Sequence, residues 1–187
     1  MRNIGSKDEI TEIIRADSFM MEVLKAAELL NLPDWWIGAG FLRNKIWDYI
    51  EGNESILPKD VDLVYFDAQN NSKESDWAFS DDMNAKYSFA EWEIRNQARM
   101  HYINGFNPFI STEDGISHWV ETATCVAVKI DDDRLNYLFC YGTDDLFNLI
   151  ARPTPYFRKK PLLQEFTNRV EQKKWQQRWP SLKVRPS

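Results

Sequence analysis

Apolar residues recur at helical spacing near the start of the chain, and polar residues mark where each helix begins and ends. Residues 6–30 carry two apolar stripes, the first formed by Ile10, Ile13 and Ile14 and the second by Met20, Met21, Val23, Leu24, Leu29 and Leu30. This spacing predicts two helices in the segment 1–31. Asp17 precedes the second stripe and suits the N-cap of that helix.

The apolar pattern then changes over residues 35–67, and this segment organises the rest of the chain. A short apolar run is followed by the small-residue turn 38–40, and Leu42, Ile46 and Ile50 then recur at helical spacing up to Gly52. A β-prone run begins near Asp60. The pattern therefore predicts a strand, a glycine turn, a helix and a second strand.

Later segments predict a mixture of strands and helices. The run 92–100 alternates apolar and polar positions as a strand does, and a short helix is expected to start near residue 111. Residues 122–130 and 135–141 predict a hairpin, and the predicted helix at 146–151 precedes a last helix after Pro161. We therefore expect an α/β (α+β) fold in which helices flank a central mixed sheet.

The turn and the strand that follows the third helix carry the candidate chemistry. Gly38, Ala39 and Gly40 lie at the start of a helix, where free backbone N–H groups form a phosphate cradle. Asp60 and Asp62 share one face of their strand because side chains alternate along a strand. Two neighbouring carboxylates repel each other unless a cation lies between them, which predicts a site for nucleotide-bound Mg²⁺.

Four motifs together resemble a family of small bacterial nucleotidyltransferases within the DNA polymerase β-like superfamily. They are Trp-Ile-Gly-Ala-Gly-Phe-Leu-Arg-Asn at 36–44, Lys-Asp-Val-Asp-Leu-Val-Tyr-Phe-Asp at 59–67, Trp-Glu-Ile-Arg-Asn-Gln-Ala-Arg-Met-His at 92–101 and Glu-Thr-Ala-Thr at 121–124. The superfamily pattern has a serine or a second glycine in the turn, where this chain has Ala39-Gly40.

The resemblance implies the nucleotidyltransferase fold and a specific reaction. An acceptor hydroxyl would attack the α-phosphate of a nucleoside triphosphate and release pyrophosphate, with Mg²⁺ (or Mn²⁺) as cofactor. It also implies that Asp60, Asp62 and Glu93 are the catalytic metal ligands. Glu91, two residues before Glu93 on the same face, is the alternative third acid. The nucleotide-binding residues would be Gly38, Ala39, Gly40, Arg43, Asn44 and Arg95.

Other interpretations of the same residues remain open. The turn half matches a dinucleotide fingerprint, but Arg43 replaces its third glycine. Asp60-Val-Asp62 also matches a haloacid-dehalogenase-like phosphatase motif, whose aspartates follow an apolar strand, whereas here the strand comes after them. A nucleotide-binding relative without activity, which regulates a partner, and an RNA-binding accessory protein are the two remaining alternatives.

Composition and charge favour one compact domain over residues 1–187. Aromatic residues make up 14% of the 187 residues, which is typical of a packed core rather than disorder. The segment 152–187 holds ten lysines or arginines and two glutamates, a net +8, so the overall −6 leaves −14 for the remainder. This basic arm either packs on the acidic body or contacts a polyanion.

Localisation is predicted from the cysteines and from two absent signals. Cys125 and Cys140 lie in apolar runs without metal-ligand spacing, which favours reduced thiols in a cytoplasmic protein. The sequence shows no signal peptide and no membrane-spanning run, so no membrane partner is expected. The expected partners are a nucleoside triphosphate and an unidentified acceptor: a small molecule, a protein or RNA.

Overall fold

The computed structural model describes residues 2–54, 56–58 and 60–186. The ends of the predicted 1–187 domain, at residues 1 and 187, and the first residue of the 59–67 motif lie outside the described residues. The helices are α1 (Lys7–Arg15), α2 (Ser18–Glu28), α3 (Gly40–Glu51), α4 (Lys73–Lys86), α5 (Thr112–Ser117), α6 (Asp144–Phe147), α7 (Leu162–Lys173) and α8 (Trp175–Arg178). Within these described ranges no helix is both long enough and apolar enough to cross a membrane.

Five strands form one mixed sheet and two short strands form another. The strands are β1 (Trp36–Gly38), β2 (Asp60–Tyr65), β3 (Glu91–Asn96), β4 (Val126–Asp131), β5 (Arg134–Phe139), β6 (Ile150–Ala151) and β7 (Lys183–Val184). The large sheet has the order β3-β2-β1-β4-β5, in which β2 and β3 are parallel and the other pairs are antiparallel. The small sheet pairs β6 with β7 in parallel.

Helices α1, α2 and α3 form because each has a local start or stop signal and an apolar stripe. Ser6 and Glu9 form a capping box on α1, and the Asp17 side chain accepts from the Met20 backbone N–H at the start of α2. Helix α3 ends at Gly52, whose positive φ is the left-handed conformation typical of a helix C-terminus. The predicted N-cap of α2 is therefore observed.

The large sheet buries both faces, but to different depths. Ile37, Leu63, Ile94 and Val128 are fully buried in the main hydrophobic core, which they share with residues of α1, α2 and α3. The opposite face carries a smaller cluster that includes Val64, Ile116 of α5 and Ala127. Because side chains alternate along β2, its acidic positions lie on this second face, at the edge of the smaller cluster.

The basic C-terminal segment packs against the acidic body instead of extending from it. Trp179 is 1% exposed, and its indole N–H donates to Asp48 at 2.8 Å. Arg178 donates to both oxygens of the same buried carboxylate, at 3.0 and 2.5 Å. Strand β7 then pairs with β6. Trp175 and Trp179 of this segment therefore belong to the main core.

Three predicted element boundaries are wrong, each for a tertiary reason. The strand predicted over 92–100 ends at Asn96, because this buried amide accepts from the Ala98 N–H and ties the chain to Asp67, and a 3₁₀ helix follows. The helix predicted at 146–151 splits into α6 and β6, since β6 pairs with β7 far along the chain. Residues 122–124 form a 3₁₀ turn before the hairpin β4–β5.

Candidate active site

The acidic residues of β2 and β3 lie on one face of the sheet. Asp60 and Asp62 alternate along β2 with core residues, so both point away from the main core. In the parallel pairing of β2 with β3, Asp60 lies opposite Glu91 and Asp62 lies opposite Glu93. Opposite residues of paired strands share a face, so Glu93 lies on the same side of the sheet as the two aspartates.

The electrostatics of Asp62 show that these carboxylates act on one another. Burial is the main effect that raises the pKa of Asp62 from 3.8 to about 6, and repulsion from Asp60 and then from Glu93 adds to it. Arg169 and Arg43 oppose this rise. The site therefore concentrates more negative charge around Asp62 than its own cations neutralise.

Glu93 is placed for a metal site, but its carboxylate is turned toward an arginine. One of its oxygens lies 3.6 Å from an Arg95 guanidinium nitrogen, and about half of the Glu93 side chain is exposed. Among the residues that the structure describes, no three acidic, histidine or cysteine side chains meet closely enough to hold a metal ion. An exposed ion pair of this kind is worth about 0–1 kcal/mol, so rotation of Glu93 toward Asp62 costs little.

The donor set fits Mg²⁺ in its chemistry. Asp60, Asp62 and Glu93 offer only carboxylate oxygens, which are the ligands that this hard cation prefers. Burial is the main cause of the raised pKa of Asp62, and the added repulsion from Asp60 and Glu93 is the part that a bound cation would relieve. These three residues would hold the metal ion, with Glu93 joining after it leaves Arg95.

The N-terminus of α3 opens next to this acidic face. Ala39 precedes the helix with φ 54° and ψ −125°, and no side chain from the described ranges caps the helix. Residues other than glycine rarely adopt such a backbone conformation. By contrast, side chains cap α1, α2 and α4. Ala39 and Asp62 line the same cavity. The uncapped first turn of α3, whose backbone N–H groups can bind an anion, therefore starts beside the cavity that Asp62 lines.

Glycine is needed at positions 38 and 40 of the turn for two different structural reasons. A Cβ atom on Gly38 would lie 2.5 Å from the indole ring of Trp119, so only glycine lets this ring pack over the strand. A Cβ atom on Gly40 would lie 3.2 Å from the amide nitrogen of Asn44, which is a tight contact with a movable side chain. Gly38 therefore fits the ring of Trp119, and Gly40 keeps the start of α3 open.

Buried Arg43 and half-buried Asn44 form a hydrogen-bonded pair in the first turns of α3. Arg43 is 4% exposed, and it donates to Thr124 at 2.6 Å and to Asn44 at 2.8 Å. Its guanidinium lies against the rings of Trp47 and Trp175. Burial lowers the pKa of Arg43 to about 10. Three hydrogen bonds from Arg43 are therefore made within the protein, to Asn44 and Thr124. Among the predicted nucleotide-binding arginines, only Arg95 lines the cavity directly.

The structure adds residues to the cavity that the sequence did not assign. Arg169 reaches it from α7, and its Nε donates to Glu121 at 2.8 Å. Glu121 is 1% exposed, and Thr124 also lines the cavity. The positive charge of the segment 152–187 was the signal for Arg169, and the isolated acid in the apolar run 119–128 was the signal for Glu121.

Comparison with known proteins identifies the family of this chain. A family model described as Nucleotidyltransferase matches residues 25–184, which is most of the chain. This chain belongs to that nucleotidyltransferase family. No curated protein sequence matches the chain. The predicted family and the predicted enzyme class are both confirmed at this level.

Solved structures confirm the predicted fold of this nucleotidyltransferase family member. A structure described as revealing a CCA-adding enzyme head domain has a TM-score of 0.87 and 27% identity, and the match covers 98% of each chain. Structures of a CCA-adding enzyme with CTP and with ATP have TM-scores of 0.56 and 13% and 14% identity. Those matches cover 98% and 99% of this chain but 43% and 44% of theirs, so they show the fold alone.

Proposed function

We propose that this protein transfers a nucleoside monophosphate from a nucleoside triphosphate to an acceptor hydroxyl and releases pyrophosphate. The observation that supports this most is one cavity that contains both the start of α3, at Ala39, and the acidic face of β2, at Asp62. Phosphate binding and metal binding need these two features side by side. The solved structures with CTP and ATP, which share this fold, add support for a nucleoside triphosphate as the donor.

The proposed roles follow from position. The backbone N–H groups that follow Ala39 bind the β- and γ-phosphates, and Arg95 adds positive charge from the cavity wall. Asp60, Asp62 and Glu93 would hold the metal ion. Mg²⁺ bound by them would supply positive charge to the acceptor oxygen and to the pyrophosphate that leaves. The protein residues position the reactants, and no covalent intermediate on a side chain is required.

Arg43 contributes from behind the helix. Its charge is buried and, among the described residues, is not paired directly with a carboxylate. Its field therefore extends into the cavity with little screening by solvent. An anionic phosphate at the start of α3 is thus stabilised by Arg43 without a direct contact. Asn44 keeps the guanidinium in place through its side-chain oxygen.

The test is a pyrophosphate-release assay with Mg²⁺ and each of the four ribonucleoside triphosphates. Short RNAs with a free 3′-hydroxyl and small polyols serve as acceptor probes. We expect Asp60→Ala and Asp62→Ala to lose release, and turnover retained in either variant would contradict the mechanism. Glu93→Gln and Glu91→Gln form a matched pair, since both residues lie on β3 and face the aspartates. The first should lose activity and the second should keep it.

A nucleotide-binding role without transfer is the second candidate, and the contact between Glu93 and Arg95 favours it. In such a protein Arg95 would keep Glu93 away from the metal ion. The wild type would then release no pyrophosphate, and Arg95→Met, which frees Glu93, would release no less than the wild type. In the transferase, Arg95→Met frees Glu93 while weakening triphosphate binding, so the KM for the nucleotide rises and turnover persists. The assay above, run on this variant, separates the two functions.

We also propose a reducing compartment such as the cytoplasm as the location. Cys125 is buried, Cys140 is half-buried, and the two thiols are not bonded to each other. Burial raises the pKa of both thiols, which makes them poorly reactive. Structural thiols of this kind are typical of proteins that fold without disulfides.

A further inference from the structure

The cavity beside Asp62 continues past the acidic face into an apolar space. Its volume is about 290 Å³. Ala39 and Asp62 line the end where the phosphates and the metal ion are proposed to bind. The rest of the lining, which we treat as the other end, includes the apolar or aromatic residues Met100, Ile103, Phe106, Phe109 and Phe157. A ligand with phosphates at the first end can therefore extend an uncharged, flat group into the second.

One polar group in this cavity lacks a partner. Glu121 is 1% exposed, and its Oε1 accepts from Arg169 at 2.8 Å. Its Oε2 is buried and has no hydrogen-bond partner within the part of the chain that the structure describes. An unsatisfied buried carboxylate oxygen is costly, so the position calls for an N–H donor from a bound molecule.

Arg169 complements Glu121 because it offers donors beside that acceptor. Its Nε is used by Glu121, and the rest of the guanidinium carries further N–H groups. The pair therefore presents a hydrogen-bond acceptor next to donors at the cavity wall. The edge of a nucleobase has the same two kinds of group side by side, and its flat faces suit aromatic walls.

We propose that this apolar end of the cavity binds the nucleobase of the nucleoside triphosphate, and that Glu121 and Arg169 select the base by hydrogen bonds to its edge. This inference rests on the proposed function, since it assigns the remaining part of the same donor nucleotide. Glu121 accepts an N–H of the base through Oε2, and Arg169 donates to the neighbouring oxygen or ring nitrogen. The protein then has a preference among bases that a triphosphate site alone would not have.

Binding measurements on the full chain test this without any need for turnover. The wild type and Glu121→Gln are titrated in Mg²⁺ with each of the four ribonucleoside triphosphates and with inorganic tripolyphosphate, by calorimetry. We expect the wild type to bind its preferred nucleotide about tenfold or more tighter than tripolyphosphate. Glu121→Gln should lose most of that gain and keep its affinity for tripolyphosphate. Glu113→Gln, the same change at an exposed position of α5, should behave as the wild type.

Two results would overturn the proposal. The first is a wild type that binds all four nucleotides no better than tripolyphosphate. The second is a Glu121→Gln protein that folds normally by circular dichroism and keeps the wild-type ranking of bases. A preferred nucleotide whose base N–H is replaced by N-methyl tests the same hydrogen bond in the unmodified protein, so the test does not depend on the variant folding. Its affinity should fall to that of tripolyphosphate, and full affinity would also overturn the proposal.

Different results would contradict the proposed transfer reaction and the proposed nucleobase site. Base-dependent binding without pyrophosphate release would contradict transfer and keep the nucleobase site. Pyrophosphate release with equal use of all bases would contradict the nucleobase site and keep transfer. A free nucleoside that binds only when a nucleoside triphosphate is already present would assign the apolar end to the acceptor, which also overturns the proposal.

Discussion

Replacing Asp62 by asparagine should make the metal-free protein more stable while it removes activity. The folded protein raises the pKa of this carboxyl from 3.8 to about 6, through burial first and then repulsion by Asp60 and Glu93. Because the folded state binds the proton more strongly than the unfolded chain, ionisation of Asp62 lowers the free energy of unfolding. The loss develops between about pH 4 and pH 6 and is complete above that range.

The size of the effect follows from the size of the shift. The pKa rises from 3.8 to about 6, which is about two units. Each unit corresponds to about 1.4 kcal/mol, so the ionised carboxylate costs up to about 3 kcal/mol. Asparagine has nearly the same shape and no charge. The free energy of unfolding of Asp62→Asn should therefore exceed that of the wild type by up to about 3 kcal/mol at about pH 8 and by little at about pH 4.

The assay is urea unfolding in EDTA at the two pH values, followed by the same measurement in excess Mg²⁺. Metal that binds only the folded state should stabilise the wild type and not Asp62→Asn. The difference between their free energies of unfolding should therefore be smaller in Mg²⁺ than in EDTA. Asp82→Asn is the matched control, because it removes one negative charge from an exposed position of α4. The reasoning is refuted if Asp62→Asn is no more stable than the wild type at the higher pH in EDTA.

Three further predictions concern the turn and the C-terminal segment. Ala39 has a positive φ, which glycine adopts without strain. Ala39→Gly should therefore raise the free energy of unfolding by about 1 kcal/mol, and an unchanged urea midpoint would contradict this. Gly38→Ala should lower it by about 1–3 kcal/mol, because the new methyl group overlaps the ring of Trp119, and a near-ultraviolet circular dichroism change should report the displaced indole. Removal of residues 158–187 should unfold the protein, because Trp179 of that segment is buried in the main core; a truncated chain that keeps its cooperative thermal transition would show that the arm is dispensable.

The candidate site was predictable from the sequence where it depends on neighbours along the chain. Alternation along a strand places Asp60 and Asp62 on one face whatever the rest of the fold is. The small-residue turn before Leu42 predicts a helix start that can face an anion. The resemblance then added Glu93, which the register of β2 with β3 places opposite Asp62.

Other features of the site depend on residues that meet only in the folded chain. Glu121 and Arg169 are 48 positions apart in sequence, and they pair because α7 packs beside the cavity. The ring of Trp119 requires glycine at position 38, and no local pattern near the turn indicates that ring. Arg43 was predicted to be a nucleotide-binding residue, and its burial against Trp47 and Trp175 becomes evident only when the C-terminal helices are in place.

The sequence by itself determined the periodic elements, the acidic face and the small-residue turn before α3, because each is encoded by residues close to one another along the chain. The tertiary structure decided where strand β3 ends, how the basic segment is used and which polar groups reach the cavity. Those outcomes depend on packing and pairing between distant segments. Any one local pattern is compatible with many different partner segments, so it does not identify the partner. Spacing along the chain therefore located the proposed chemistry, and packing across the chain built the pocket around it.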